Sequence, residues 1–74
     1  MKTTRYYQED ILPERPYLKI YAHYVELAMV VPMSTKIQND GRIQYWIYVP
    51  EEDKYLRVVA LADGETLHTT YAAI

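Results

Sequence analysis

The chain has 74 residues and a formal charge of −2, from eight Lys and Arg against ten Asp and Glu. This length predicts a single small domain over residues 1–74 and excludes a second one. The negative charge is the wrong sign for a general nucleic-acid binder, so that any RNA contact must be local.

Residues 1–15 mix charged side chains with two Tyr and a Pro, which predicts a loosely held arm or a short edge strand. They contain no apolar stretch of the length that a signal peptide needs, and nowhere do about 18 apolar residues run together. The chain also has no Cys, which fits a reducing compartment. We therefore expect a cytoplasmic protein without membrane contact.

Residues 16–31, PYLKIYAHYVELAMVV, predict one helix. Pro16 suits the first helical position, and Pro32 marks the exit. At roughly 100° per residue, one broad apolar arc would cover the sheet and a polar stripe would face water. The arc consists of Tyr17, Ile20, Tyr21, Tyr24, Leu27, Ala28 and Val31, and the stripe of Lys19, His23 and Glu26.

Residues 34–72 predict an antiparallel sheet of three to four strands. Asp-Gly pairs at residues 40–41 and 63–64 favour tight turns, because glycine tolerates positive φ. The acidic segment VPEEDK at residues 49–54 reads as a longer loop. The expected strands are residues 34–38, 42–49, 54–61 and 66–72. The predicted fold class is therefore α+β, with one main helix packed on an antiparallel meander.

Alternation along these strands predicts which side chains share a face. Matching apolar rows sets Trp46 opposite Arg57, and a two-residue turn at 63–64 sets Val59 opposite His68 and Arg57 opposite Thr70. Trp46, Arg57 and His68 would then be neighbours on one face, with the helix on the other. The row expected under the helix is Ile43, Tyr45, Ile47, Leu56, Val58, Ala60 and Leu67.

Two interpretations of that face remain open. A cation–π contact between Arg57 and Trp46 is a sufficient structural reason for the pair. Alternatively, Trp46 with Tyr48 or Tyr55 stacks a base, Arg57 neutralises a phosphate and His68 moves a proton near neutral pH. Cleavage of RNA by its own 2′-hydroxyl needs no metal or cofactor. Two His without any Cys predict no metal site.

The segments DGRIQYW, VPEEDKYLRVV and DGETLHTTY, which follow the Pro-started helix, resemble small bacterial proteins related to the BrnT-like toxins, within the RelE-like toxin superfamily. The resemblance covers about residues 14–71. It implies a helix layer on an antiparallel sheet, and a toxin-antitoxin operon in which a small antitoxin protein covers the open face. The positions that it implies as functional are Arg42, Trp46, Arg57 and His68, with Lys54 as a peripheral phosphate contact.

Two functions from different classes follow. The first is a metal-independent endoribonuclease toxin, with His68 as the proton-transfer group, Arg57 and Arg42 on phosphate, and Trp46 stacking a base. The second is a non-catalytic interaction module that uses its Tyr-rich face to bind a protein partner or itself. Because a core of this size leaves only about 3–5 kcal/mol of net stability, we expect a homodimer or a partner-bound form in preference to an isolated monomer.

Overall fold

The sheet is a four-stranded antiparallel meander, which confirms the predicted α+β class. The computed structural model describes residues 2–73, with side chains described for residues 2–70. The strands are β1 (Ser34–Ile37), β2 (Ile43–Val49), β3 (Lys54–Ala60) and β4 (Leu67–Ala73), and each pairs with the next along the chain. Helices pack on one face of the sheet.

The turn between β1 and β2 forms where the Asp-Gly pair predicts it. Gly41 takes a φ of 90°, and its N–H donates to the Gln38 carbonyl oxygen at 3.0 Å. A side chain at this φ would be strained, which explains the glycine. Further along the sheet, Trp46 lies opposite Arg57. The register predicted from the apolar rows of β2 and β3 is therefore confirmed.

The pairing of β3 with β4 contains a β-bulge. Ala60 pairs with Leu67, but the next pair is Val59 with Thr69, and the register shifts between them. His68 is therefore the extra residue of β4. The bulge lies where the N-terminal residues reach the sheet: the Leu67 N–H donates to the carbonyl oxygen of residue 2, and the N–H of residue 4 donates back to Leu67, both at 2.9 Å.

This bulge overturns part of the predicted register. A two-residue turn would pair Val59 with His68 and Arg57 with Thr70, and both predicted pairs are wrong. Arg57 lies opposite Tyr71 instead. The prediction is correct only next to the turn, before the extra residue shifts β4 by one position.

The β3–β4 turn is organised by the carboxylate of Asp63. It accepts hydrogen bonds from the backbone N–H groups of Glu65 and Thr66, both at 2.9 Å, and from the Thr66 hydroxyl at 2.6 Å. These bonds, led by that from the Thr66 hydroxyl, lower the pKa of Asp63 from 3.8 to about 2. The ionised carboxylate is therefore the form that the folded turn favours.

We expect this turn to weaken in acid. A folded pKa below the unfolded one contributes stability that is present above pH 3.8 and is lost as the pH falls through about 2. The free energy of unfolding, measured with urea, should therefore fall more steeply in this window for the wild type than for Asp63→Asn, which does not titrate. A difference between the two proteins that stays constant from pH 5 to about pH 2 would contradict this role.

The helical layer begins earlier than predicted and is broken. A π-helical segment (Tyr7–Ile11) leads into α1 (Leu12–Glu14), followed by α2 (Tyr17–Ile20) and α3 (Ala22–Val30). The predicted single helix over residues 16–31 is interrupted at Tyr21, where φ is −105° and ψ is 26°. No Gly or Pro stands at the break, but the Tyr21 hydroxyl donates to Glu52 at 2.7 Å. The break in the helix therefore coincides with a tertiary contact between Tyr21 and the β2–β3 loop.

The buried side of the helices differs from the predicted arc. Leu18, Val25 and Ala28 are the buried residues of α2 and α3. Of the seven residues in the predicted arc, only Ala28 is fully buried, and Ile20, Leu27 and Val31 are exposed. The predicted water-facing stripe of Lys19, His23 and Glu26 is exposed, as expected. Because the helix is broken between α2 and α3, the side of α3 that faces the sheet is not the side predicted from one continuous helix.

The prediction of a loosely held arm over residues 1–15 is wrong for the helical part. Tyr7 and Ile11 are only 5% and 3% exposed and pack with the core residues of α2, α3 and the sheet. The alternative, a short edge strand, matches residue 3, which forms a parallel bridge with Leu67.

Within residues 2–73, no helix has the length and apolar character needed to cross a membrane.

The predicted row under the helices supplies the sheet side of the core. The sheet residues in the core cluster are Ile47, Val49, Leu56, Val58 and Leu67, with Tyr45 packed against them. Thr70 is also buried, and the Arg15 guanidinium donates to its carbonyl oxygen at 2.7 Å. The opposite sheet face, called the outer face below, carries the residues that alternate with this row.

Candidate functional site

The outer face brings together one pair of the predicted site residues. Trp46 on β2 and Arg57 on β3 are directly opposite, and the Arg57 guanidinium carbon lies 5.3 Å from the centroid of the Trp46 ring. This distance is within the range of a cation–π contact. Both residues are half-buried. The contact holds a positive charge beside an aromatic ring at the middle of the sheet.

Two tyrosines extend this surface toward the β2–β3 loop. Tyr48 and Tyr55 are opposite each other, with ring centroids 5.3 Å apart in an edge-to-face arrangement. The Tyr48 hydroxyl donates to the Asp53 carboxylate, which raises the pKa of Tyr48. Tyr55 is 41% exposed. Of the two rings predicted to stack a base, Tyr55 is therefore the more accessible.

The β-bulge changes the position of His68 relative to Arg57. Arg57 is opposite Tyr71, which follows His68 by three residues, or about 10 Å of extended strand. The His68 ring stacks on Tyr6 with centroids 5.0 Å apart, and its Nδ1 is 3.2 Å from the Thr4 hydroxyl oxygen. The bulge therefore places His68 one residue further along β4 from the partner of Arg57 than the predicted register does.

The electrostatic neighbour of His68 is Arg42. Burial lowers the pKa of His68 below its ordinary value of 6.5, and the positive charge of Arg42 lowers it further, while Asp40 acts in the opposite direction. Asp40 also pairs with Arg42, with Oδ2 at 3.6 Å from Nε. A lowered pKa keeps the imidazole neutral at pH 7, which is the form that can accept a proton.

Lys54 does not share the outer face. It lies opposite Val49, a core residue, and lines a cleft of about 190 Å³ on the helix side of the sheet. Tyr17, Tyr21 and Glu52 line the same cleft. The geometry therefore separates Lys54 from Trp46 and the other predicted phosphate contacts.

Within the described part of the chain, no three His, Asp or Glu side chains are grouped closely enough to hold a metal ion.

A second surface was not anticipated from the sequence. All four residues of β1 are exposed, and α3 packs on β2 and β3. The exposed apolar residues from the second half of α3 through the connection to β1 and along β1 itself, together called the edge surface, are Leu27, Val30, Val31, Met33 and Ile37. The signal in the sequence was an excess of apolar residues from 27 to 37 over what one side of a short helix can bury.

Comparison of the chain with protein-family models, with curated proteins and with solved structures finds no match. The resemblance to BrnT-like toxins therefore stands on its sequence motifs alone. What the fold and its surfaces define is a small α+β protein with a tyrosine-rich, Arg-containing and Trp-containing outer face and an open apolar sheet edge.

Proposed function

We propose that this chain is an interaction module that binds a protein partner, or itself, by adding a strand to the edge of β1. The observation that carries the proposal is the edge surface, where Val30 is 77% and Ile37 is 70% exposed, and where β1 pairs on one side only within residues 2–73. Apolar side chains clustered at a sheet edge are characteristic of strand-addition sites, where backbone bonds give affinity and side-chain contacts give specificity.

The hydrogen bonding of β1 supports this proposal. The Gln38 N–H donates to the Arg42 carbonyl oxygen at 2.7 Å, so that Ile37 and Ile43 form the non-hydrogen-bonded kind of antiparallel pair. By alternation, the backbone groups of Lys36 point toward β2, and those of Thr35 and Ile37 point away from it. The outward groups are available to an added strand.

The other edge of the sheet is arranged differently. The backbone of Leu67, at the start of β4, exchanges hydrogen bonds with residues 2 and 4. This pairing protects the beginning of the β4 edge, as native proteins commonly do. The β1 edge has no such cover among residues 2–73, which favours β1 as the binding edge.

A position-specific photo-crosslinking experiment tests the interaction module. A photoreactive amino acid is placed at Ile37 in one variant and at Ile20 in another, expressed in bacteria. Both side chains are 70% exposed and apolar, but only Ile37 is on β1. We expect a discrete adduct from position 37 and none from position 20. Equal labelling, or no adduct from either position, would contradict a binding role for the edge.

A second proposal is a metal-independent endoribonuclease of a toxin-antitoxin pair, acting in the cytoplasm. The observation that favours it is a neutral His68 under the positive charge of Arg42, on the same sheet as the Arg57–Trp46 contact. His68 would take the 2′-hydroxyl proton, Arg42 and Arg57 would hold phosphates, and Trp46 would stack a base. An antitoxin would cover these groups.

Regulated expression in bacteria tests this second proposal. Growth arrest together with fragmentation of cellular RNA, both relieved by a small protein encoded in the adjacent reading frame, is the expected result. The purified chain should also cleave RNA in the presence of a metal chelator. Normal growth and intact RNA at high expression would rule out the endoribonuclease and leave the interaction module.

A further inference from the structure

We propose that the cleft beside the β2–β3 loop is a binding site for a zwitterionic amino acid with a small apolar side chain. The cleft has a volume of about 190 Å³ and is lined by Tyr17, Tyr21, Val49, Glu52, Lys54 and Leu56. Sites for drug-sized ligands typically have roughly 300–1,000 Å³, so this cleft suits a smaller molecule. It shares no residue with the edge surface, and it lies at the opposite end of β3 from the bulge.

The cleft has an apolar floor and an aromatic wall. Val49 and Leu56 lie on the helix side of the sheet and are only 2% and 3% exposed. Tyr17 and Tyr21 are four residues apart, and the Tyr21 N–H donates to the Tyr17 carbonyl oxygen at 3.0 Å, so that both side chains are on one side of α2. Both tyrosines are half-buried. These surfaces favour an apolar side chain between the rings and the sheet.

The rim of the cleft carries one charge of each sign. Glu52 belongs to the β2–β3 loop and Lys54 begins β3, and both are exposed. Among residues 2–70, neither of them forms an ion pair. A ligand with a single charge would place that charge near the group of the same sign. A free amino acid instead offers an ammonium for Glu52 and a carboxylate for Lys54, and such charge complementarity gives specificity.

The carboxylate of Glu52 is already oriented at the cleft. The Tyr21 hydroxyl donates to its Oε1 at 2.7 Å, and this bond raises the pKa of Tyr21. The hydroxyl therefore stays a donor at neutral pH. An ionised carboxylate has further acceptor sites, so Oε2 can accept from an ammonium while Oε1 keeps its bond to Tyr21. A side chain that is held in place beforehand loses less entropy when a ligand binds.

An NMR titration of the isotope-labelled chain tests the ligand class. The probes are L-leucine, 3-methylbutylamine, which lacks the carboxylate, 4-methylpentanoate, which lacks the ammonium, and glycine, which lacks the apolar side chain. Leucine should shift the amide signals of Tyr21 and Leu56 in a saturable way, and each analogue should bind roughly fivefold more weakly or worse. A single-charge analogue that binds as tightly as leucine would overturn the zwitterion site. So would the lack of a saturable shift up to the solubility limit of leucine.

Charge variants test which group each end of the ligand meets. Glu52→Gln should weaken leucine and 3-methylbutylamine roughly fivefold and leave 4-methylpentanoate no weaker. Lys54→Met should weaken leucine and 4-methylpentanoate by a similar factor and leave the amine no weaker. Loss of all three ligands to the same extent in both variants would overturn these two contacts.

Glu51→Gln is the matched control. Glu51 is in the same loop and accepts a hydrogen bond from the Tyr24 hydroxyl at 2.7 Å, but it is not among the residues that line the cleft. This variant changes the charge of the loop as Glu52→Gln does, and it should bind leucine as the wild type does. All three side chains are exposed, so the variants should keep the wild-type circular dichroism spectrum. Equal weakening of leucine by Glu51→Gln and Glu52→Gln would overturn direct contact with Glu52.

Discussion

Replacing Ile11 by Ala is expected to unfold a large share of the protein. Ile11 is 3% exposed and lies in the core cluster with residues of α2, α3 and the sheet. Truncating a buried Ile to Ala costs about 2–5 kcal/mol, because apolar contacts are lost and a cavity remains. A domain of this size has only about 3–5 kcal/mol of net stability, so one substitution removes most of it.

Ile20→Ala is the matched control. It removes the same atoms from a side chain that is 70% exposed, and its free energy of unfolding should stay within about 0.5 kcal/mol of the wild type. Urea denaturation followed by circular dichroism measures both variants. If Ile11→Ala were as stable as Ile20→Ala, the segment Tyr7–Ile11 would not belong to the cooperative core.

The sheet could be predicted because its signals are local. Strict alternation in β2 and β3 separates the core row from the outer row, and the Asp-Gly pairs locate two turns. These features were enough to place Trp46 opposite Arg57. A one-residue error would have moved every apolar side chain of a strand to the wrong face, so the pattern itself fixes the register.

The position of His68 could not be predicted because it depends on contacts distant in sequence. The bulge at His68 lies where residues 2–4 reach β4, and Thr4 and Tyr6 contact the imidazole directly. Alternation within β4 carries no sign of an extra residue. One half of the candidate site, Trp46 with Arg57, therefore follows from the sequence, and the place of His68 does not.

The prediction of which side of the helix is buried failed for a different reason. Residues 24–33 are apolar at almost every position, so that several choices of buried side fit the 3.6-residue period equally well. Packing on the sheet selects Val25 and Ala28, and leaves Leu27 and Val30 outside. What appeared to be one oversized core face is a core face and an exposed edge surface.

Replacing His68 by Gln is expected to reduce any RNA cleavage by about 10²-fold or more, the usual effect of removing a positioned acid or base. Gln keeps a group that can hydrogen-bond to the Thr4 hydroxyl but cannot take a proton near neutral pH. Loss of the ring stack on Tyr6 should cost about 1 kcal/mol of stability. The variant should therefore remain folded while cleavage falls.

Tyr6→Ala separates this chemical loss from destabilisation. It removes the same ring stack and keeps the imidazole, so that cleavage should remain within a few-fold of the wild type.

The cleavage rate of the wild type should also rise with pH through a pKa below 6.5, since burial and Arg42 lower the pKa of His68 and the neutral ring is the base. Because this limb reports proton transfer, it should be absent from the residual activity of His68→Gln. Equal cleavage by folded His68→Gln and wild type would remove His68 from the chemistry and leave the outer face as a binding surface.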